Sequence, residues 1–338
     1  MGPSSVEPKG AARSRPAGLR YLVLALRFVI PIVLIAALLR VVPVRDVLAS
    51  AARLSSAAIC GALVTWVGGT AIAAYRWRVL FLACGIAQPP FLGLYRAALI
   101  GGFYNMYVPG AVGGEVLRAI ATRKVVGPRG LPAALGIVLL DRLLGLAGLF
   151  VLVAVSVTVF PLKGMHNLVL WTALGLFAAA SAVIAIVSGP RLAPLLPGPL
   201  GRLAAGLPTI ESLPAFGIAL ALSVITQLAG VFIGHVVMAG VASHVSFADS
   251  LVMMPLVNAS MYFPLTVGGL GVREAATVLF YGMVGVARAD AMAASLVVDA
   301  LFYVGNAIGG VLHAIRPLTL EQEPAAAASA SSVADSEP

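Results

Sequence analysis

The sequence predicts an all-α polytopic membrane protein, with about six transmembrane helices and two re-entrant hairpins in an inverted-topology repeat. Three observations lead there. The 338 residues are 60% hydrophobic and only 10% charged, with mean hydropathy +1.02, whereas a soluble domain carries about 25% charged residues. Apolar runs long enough to span a bilayer recur along the chain, with basic clusters between them. Two of those runs break at a proline followed by paired glycines and an arginine, Asn105 to Arg118 and Ser260 to Arg273. A lipid-facing helix cannot carry such a break, because freed backbone N–H and C=O groups find no water in the bilayer core.

The elements follow in order. Lys9, Arg13 and Arg15, in an expected basic cytoplasmic segment of residues 1–19, and Arg20 precede the first span, Tyr21 to Val42. That run is too long for the apolar part of a signal peptide. A second span runs from Ser56 to Tyr75, and Tyr75-Arg76-Trp77-Arg78 is expected to mark its cytoplasmic boundary. The first hairpin covers residues 91–123, and Arg118, Arg123, Lys124 and Arg129 return the chain to the cytoplasm. Pro132 to Thr158 crosses outward and Leu168 to Val187 crosses back. A Pro- and Gly-rich stretch, Ser188 to Pro214, is expected on the cytoplasmic surface. Phe216 to Val241 crosses again, and the second hairpin, residues 251–287, breaks at Pro264 to Gly271. Ala291 to Ile315 closes a transmembrane domain of residues 20–316, ahead of a tail at 317–338 whose Ala-, Ser- and Glu-rich composition reads as disordered.

The repeat gives the two breaks their weight. Shifted by 155 residues, Met106 to Arg118 lies over Met261 to Arg273 without a gap. Seven of thirteen positions are identical: Met106/Met261, Tyr107/Tyr262, Pro109/Pro264, Val112/Val267, Gly113/Gly268, Gly114/Gly269 and Arg118/Arg273. Asp141 follows Arg118 by 23 residues, and Asp299 follows Arg273 by 26. Three crossings separate the hairpins, so the second is expected to enter from the opposite leaflet. Transporters built this way place their sites near the midplane, where broken helices meet.

The candidate site residues come from these breaks. Gly113 and Gly114 in one half, and Gly268, Gly269 and Gly271 in the other, precede return helices whose N-termini suit an anion. Arg118 and Arg273, one turn on, add the planar fork that fits phosphate. Glu115, Glu274, Asp141 and Asp299 are expected to balance charge, bind a cationic head group or carry protons. Asp141 and its neighbour Arg142 begin about 13 Å into their span and point about 100° apart. Asp141 is therefore expected to meet Arg118 or Arg273 rather than Arg142, and a purely structural ion pair stays open for it. The halves are expected to share phosphate recognition and to differ in where they place negative charge. Gly230/Gly234 and Gly305/Gly309 read as packing contacts, and Asn258, Asn306 and His313 as interhelical hydrogen-bonding groups.

Several classes are set aside. The 22 basic against 13 acidic residues reflect loop charge in a membrane protein, so no nucleic-acid partner is expected. Cys60 and Cys84, with four scattered histidines, make no metal motif. No cofactor, metal or catalytic residue is expected.

The residues also resemble a known family. Tyr75 to Arg78, Gly102-Phe103-Tyr104-Asn105 through Gly113-Gly114-Glu115, Leu140-Asp141-Arg142-Leu143, and Gly268-Gly269-Leu270-Gly271-Val272-Arg273-Glu274 are similar to the lysylphosphatidylglycerol synthase transmembrane (flippase-like) family. The resemblance covers about residues 20–316. It implies a membrane domain that moves a phospholipid between leaflets, which in multidomain members is aminoacylated by a separate soluble domain. Only residues 317–338 follow here, so the expectation is translocation without synthesis. The expected partner is a phospholipid or glycolipid substrate, in a bacterial-type cytoplasmic membrane with both termini cytoplasmic. A homo-oligomer is left open. Two other readings stay open: a membrane-embedded enzyme acting on a lipid or prenyl phosphate, and a non-transporting scaffold.

Overall fold

A computed structural model describes residues 42–107, 113–127, 130–160, 166–261 and 269–318, with a few positions between 33 and 40. Most of the first expected span, nearly all of the tail, and both prolines of the breaks lie outside the described residues. So does Gly268. Everything described as regular structure is helical: α1 (Val44–Ala51), α2 (Ser56–Ala83), α3 (Phe91–Tyr107), α4 (Gly113–Thr122), α5 (Gly130–Val159) and α6 (His166–Leu192). A short 3-10 turn, Ala193–Leu195, leads to α7 (Gly198–Ala205), α8 (Leu213–Val241), α9 (Phe247–Ser260), α10 (Val272–Gly282) and α11 (Arg288–Ile315).

Five stretches among the described residues are long and apolar enough to cross a membrane: Ser56–Ala83, Gly130–Val159, Ala173–Leu195, Leu213–Val241 and Arg288–Ile315. The chain is an all-α polytopic membrane protein. The helices flanking the two breaks are shorter, 17 and 10 residues for α3 and α4, 14 and 11 for α9 and α10. A crossing needs about 20 residues, and none of the four reaches that. Within each pair the second helix packs back on the first.

Local chemistry sets the starts of these elements. Ser55 and Ser212 cap α2 and α8 by accepting backbone N–H bonds from Ala58 and Ala215. Ser246 and Asp249 form a reciprocal capping box at the start of α9. Gly269 and Gly271 have φ of 81° and 82°, a region closed to most side chains, so the entry to α10 needs both glycines.

Two differences from the sequence reading bear on the site. Helix α2 runs on to Ala83, so Tyr75 to Arg78 lies inside a helix and is not its boundary. No Gly or Pro interrupts the chain between Tyr75 and Gly85, and nothing stops the helix there. Arg76 and Trp77 are both buried, Trp77 completely. The expected surface stretch Ser188 to Pro214 holds the end of α6, the 3-10 turn and α7.

The apolar core has two main parts. One gathers Trp77, Leu80, Phe81, Leu140 and Leu144 from α2 and α5, with α3 and α8 against them. The other gathers Val237, Met238, Met253, Tyr281 and Val298 from α8 to α11. Helices α2 and α8 pack along each other more extensively than any other pair and join both parts.

Glycine allows the closest helix crossings, as the small-residue pairs led us to expect. A methyl on Gly309 of α11 would sit 2.0 Å from the carbonyl oxygen of Leu99 in α3. Gly309→Ala is therefore expected to push α3 and α11 apart at a cost of about 1–3 kcal/mol. Its thermal unfolding midpoint in detergent should fall, while Gly61→Ala, with no atom within 4 Å of the added carbon, should match wild type. Equal midpoints for the two variants would exclude a backbone contact at Gly309.

Candidate functional site

Asp141 is where the first half of the chain comes together. It lies about 16 Å along α5 at 1.5 Å per residue and is 2% exposed. Arg118, from α4, donates through Nη2 to its Oδ2 at 3.0 Å. Arg76, from α2, donates through Nε to its Oδ1 at 2.8 Å and through Nη1 to Ser223 Oγ at 3.3 Å. The Arg118 guanidinium also lies over the Trp77 ring, 4.0 Å from its centroid, where the ring face favours a cation. The expected Arg118–Asp141 contact is present. Arg76 was not expected in it.

The start of α4 is satisfied from within the protein. Gly114 N–H donates to Asn105 Oδ1 at 3.0 Å, and Asn105 Nδ2 donates to Glu115 Oε1 at 2.9 Å. Glu115 in turn pairs with Arg142. A methyl on Gly114 would meet the Gly101 carbonyl oxygen at 2.2 Å, whereas one on Gly113 would meet nothing within 4 Å. Gly114 thus serves the crossing of α3 and α4, and Gly113 is the glycine that faces open space.

The start of α10 uses the same kind of cap from a different place. Gly271 N–H donates to the Glu274 carboxylate, three residues on in its own helix. Under the 155-residue shift Glu274 corresponds to Ala119, and Glu115 corresponds to Leu270. The first helix start is therefore capped by an amide oxygen that Glu115 holds in place, and the second by a carboxylate directly. Arg273 is buried and pairs with Asp299 of α11, the counterpart of Arg118 with Asp141. Its guanidinium lies 4.9 Å from the centroid of the Phe302 ring.

A cavity of about 420 Å³ lies between α2, α3, α5, α8 and α11. Arg76, Arg118, Asp141 and Arg142 line it, with the amides of Asn105, Gln227 and Asn306 on the remaining polar wall. Phe302 lines it too, but Arg273, Glu274 and Asp299 do not. The cavity therefore brings together Arg118, Asp141 and Arg142, while Arg273 is paired with Asp299 and is not among the lining residues. Three hydroxyls face the cavity, from Thr65, Thr70 and Thr226. Each donates to a carbonyl one turn back in its own helix, at 2.7, 2.9 and 2.7 Å. Among the described residues no group of three or more His, Cys, Asp or Glu side chains converges as a metal site would require.

The charge count differs between the halves. Arg76, Arg118 and Asp141 leave one surplus positive charge. Arg273, Glu274 and Asp299 leave one surplus negative charge if both carboxyls are ionised. Arg142 and Glu115 cancel.

Asn105 and Arg76 are the groups that sequence reasoning passed over as site residues. For Arg76 the available signal was the absence of any helix breaker before Gly85. For Asn105, in the last turn of α3 and nine residues before Gly114, the sequence spacing carries no capping signal.

No curated protein is significantly similar to the chain. Residues 22–310 match the family described as the lysylphosphatidylglycerol synthase TM region, a stretch that contains the cavity and both arginine–aspartate pairs. The chain belongs to the lysylphosphatidylglycerol synthase transmembrane family.

Proposed function

We propose that the chain is a lipid translocase that moves a phosphate-containing lipid head group between leaflets. The surplus positive charge of Arg76, Arg118 and Asp141 in the cavity wall carries this reading. An unbalanced cation at membrane depth is costly, and an anionic phosphate is the group that neutralises it. Arg118 Nε is buried with no hydrogen-bond partner among the described residues, which leaves a donor for that phosphate. The amides of Asn105, Gln227 and Asn306 suit head-group hydroxyls.

Phosphate contact falls to Arg76, Arg118 and the open side of Gly113, since the N–H groups of Gly114 and Gly271 are already bonded. The pairs α3–α4 and α9–α10 act as re-entrant hairpins from opposite leaflets, and their short helices and internal repeat support this. Both termini lie in the cytoplasm, in keeping with the basic loops. The protein is not an enzyme. The three cavity threonines are tied to backbone carbonyls, and both Asp141 oxygens accept from arginines. Neither is a ready nucleophile or general base.

Two outcomes are expected. In liposomes holding fluorescent phosphatidylglycerol, Arg118→Gln and Arg76→Gln should each slow leaflet exchange at least tenfold, about 1.4 kcal/mol in the barrier, with folded yield retained. Wild-type exchange in both variants would sink the reading, as would phosphate release from a lipid pyrophosphate by the purified protein. Asp141→Ala should instead act on stability. Two guanidiniums left without their buried carboxylate are expected to cost about 3–5 kcal/mol, seen as a lower thermal midpoint in detergent.

A further inference from the structure

The second half of the chain holds a buried cluster with more carboxyls than its cation can balance. Glu274 is fully buried, Asp299 is 3% exposed and Arg273 is 8% exposed. Asp299 Oδ1 accepts from Arg273, and Glu274 Oε2 accepts from Gly271 N–H. The remaining oxygen of each carboxyl, Glu274 Oε1 and Asp299 Oδ2, is buried with no hydrogen-bond partner among the described residues. Glu274 follows Arg273 directly at the start of α10, and Asp299 meets the Arg273 guanidinium from α11, so both carboxyls gather about one cation.

Two acceptors without donors at this depth are costly, and a buried net negative charge more so. One proton removes both problems. Taken from water onto either free oxygen, it turns that acceptor into an O–H donor, and the cluster of one guanidinium and two carboxyls becomes neutral. A metal cation fits less well, because the Arg273 guanidinium already occupies one side of Asp299. We infer that Glu274 and Asp299 together hold one proton, and that its release and uptake are coupled to head-group movement in the cavity. The coupling clause rests on the translocase reading.

The neighbouring groups do not offer the proton another seat. Thr277, on the same helix, donates to the Arg273 carbonyl at 2.7 Å. From α11, Tyr303 faces the cluster, and its own carbonyl accepts from Tyr107 of α3. On the α9 side, Asp249 lies toward Tyr281, whose hydroxyl bonds Ser250 at 3.2 Å. At the start of α11, Asp290 is tied to Arg53 and Ser50, and Arg288 lines a separate crevice with Leu279 and Gly282. The link to the cavity is Phe302, whose ring lines the cavity and also lies under the Arg273 guanidinium. Loss of the proton adds a negative charge beside Arg273, draws the guanidinium from the ring, and frees the ring to move in the cavity wall.

Infrared spectroscopy of the full chain in membranes tests this. At neutral pH the wild type should show a protonated-carboxyl C=O stretch that shifts when either Glu or Asp carboxyls carry carbon-13. Glu274→Gln and Asp299→Asn should each abolish it. No such band in the wild type, with or without sodium, overturns the inference, and so does a band unchanged in both variants. The isotope arm needs no variant, so a folding defect does not blunt it. In liposomes, an imposed pH gradient should speed exchange of fluorescent phosphatidylglycerol at least tenfold, and Glu274→Gln should remove that stimulation. Exchange indifferent to the gradient overturns the coupling. A variant-sensitive band with no lipid exchange under any condition leaves the proton site standing and removes the translocase reading.

Discussion

One carboxylate shared between two guanidiniums is the constraint on which the described structure depends. Asp141 ties α5 to α2 through Arg76 and to α4 through Arg118, and Ser223 extends the tie to α8. None of these helices can move far without uncovering a charge in a low-dielectric interior, where a separated buried pair costs several kcal/mol. Apolar packing between helices lacks a hydrophobic driving force inside lipid. Position is therefore set by polar contacts and close glycine crossings. Gly309 against Leu99 and Gly114 against Gly101 fix how near the helices approach, and Asp141 fixes their depth.

The two halves of the repeat keep a geometry and exchange a charge. Arg118 with Asp141 and Arg273 with Asp299 are the same pair on the same kind of helix. What differs is the third member: a second cation, Arg76, in one half and a second anion, Glu274, in the other. Each half also lays its arginine against an aromatic face, Trp77 or Phe302. The two similar stretches thus differ in charged residues that lie outside the matching positions. Arg76 lies well before the first copy, and Glu274 is the residue just beyond the second.

Much of this was legible in the sequence, for identifiable reasons. Apolar length and low charge predicted the membrane-spanning helices because the bilayer restricts backbone structure so tightly. A partner for Asp141, Arg118 or Arg273, was predictable because a buried charge in an apolar helix needs one, and Arg118 is the one of the two that it meets. Arg76 was misread because a basic residue beside two aromatics looks the same at an interface as in a buried cluster. Only the tertiary position of Asp141 distinguishes them. The capping of Gly114 and Gly271 was also hidden. A glycine N–H at a helix start is an anion site only if nothing nearer bonds it, and both Asn105 and Glu274 do. The Gly-Gly-x-x-x-Arg pattern contains neither fact.

The size of the cavity has a consequence of its own. About 420 Å³ falls in the range that holds a small polar molecule and leaves no room for a pair of acyl chains beside it. Under the proposed function, the tails of a lipid never enter the wall that Arg76, Arg118 and Asn105 form. Such a protein would be blind to chain length and unsaturation. It would sort its cargo as a soluble binding protein sorts sugars or phosphates, by the head alone, with the bilayer acting as a second solvent for everything else.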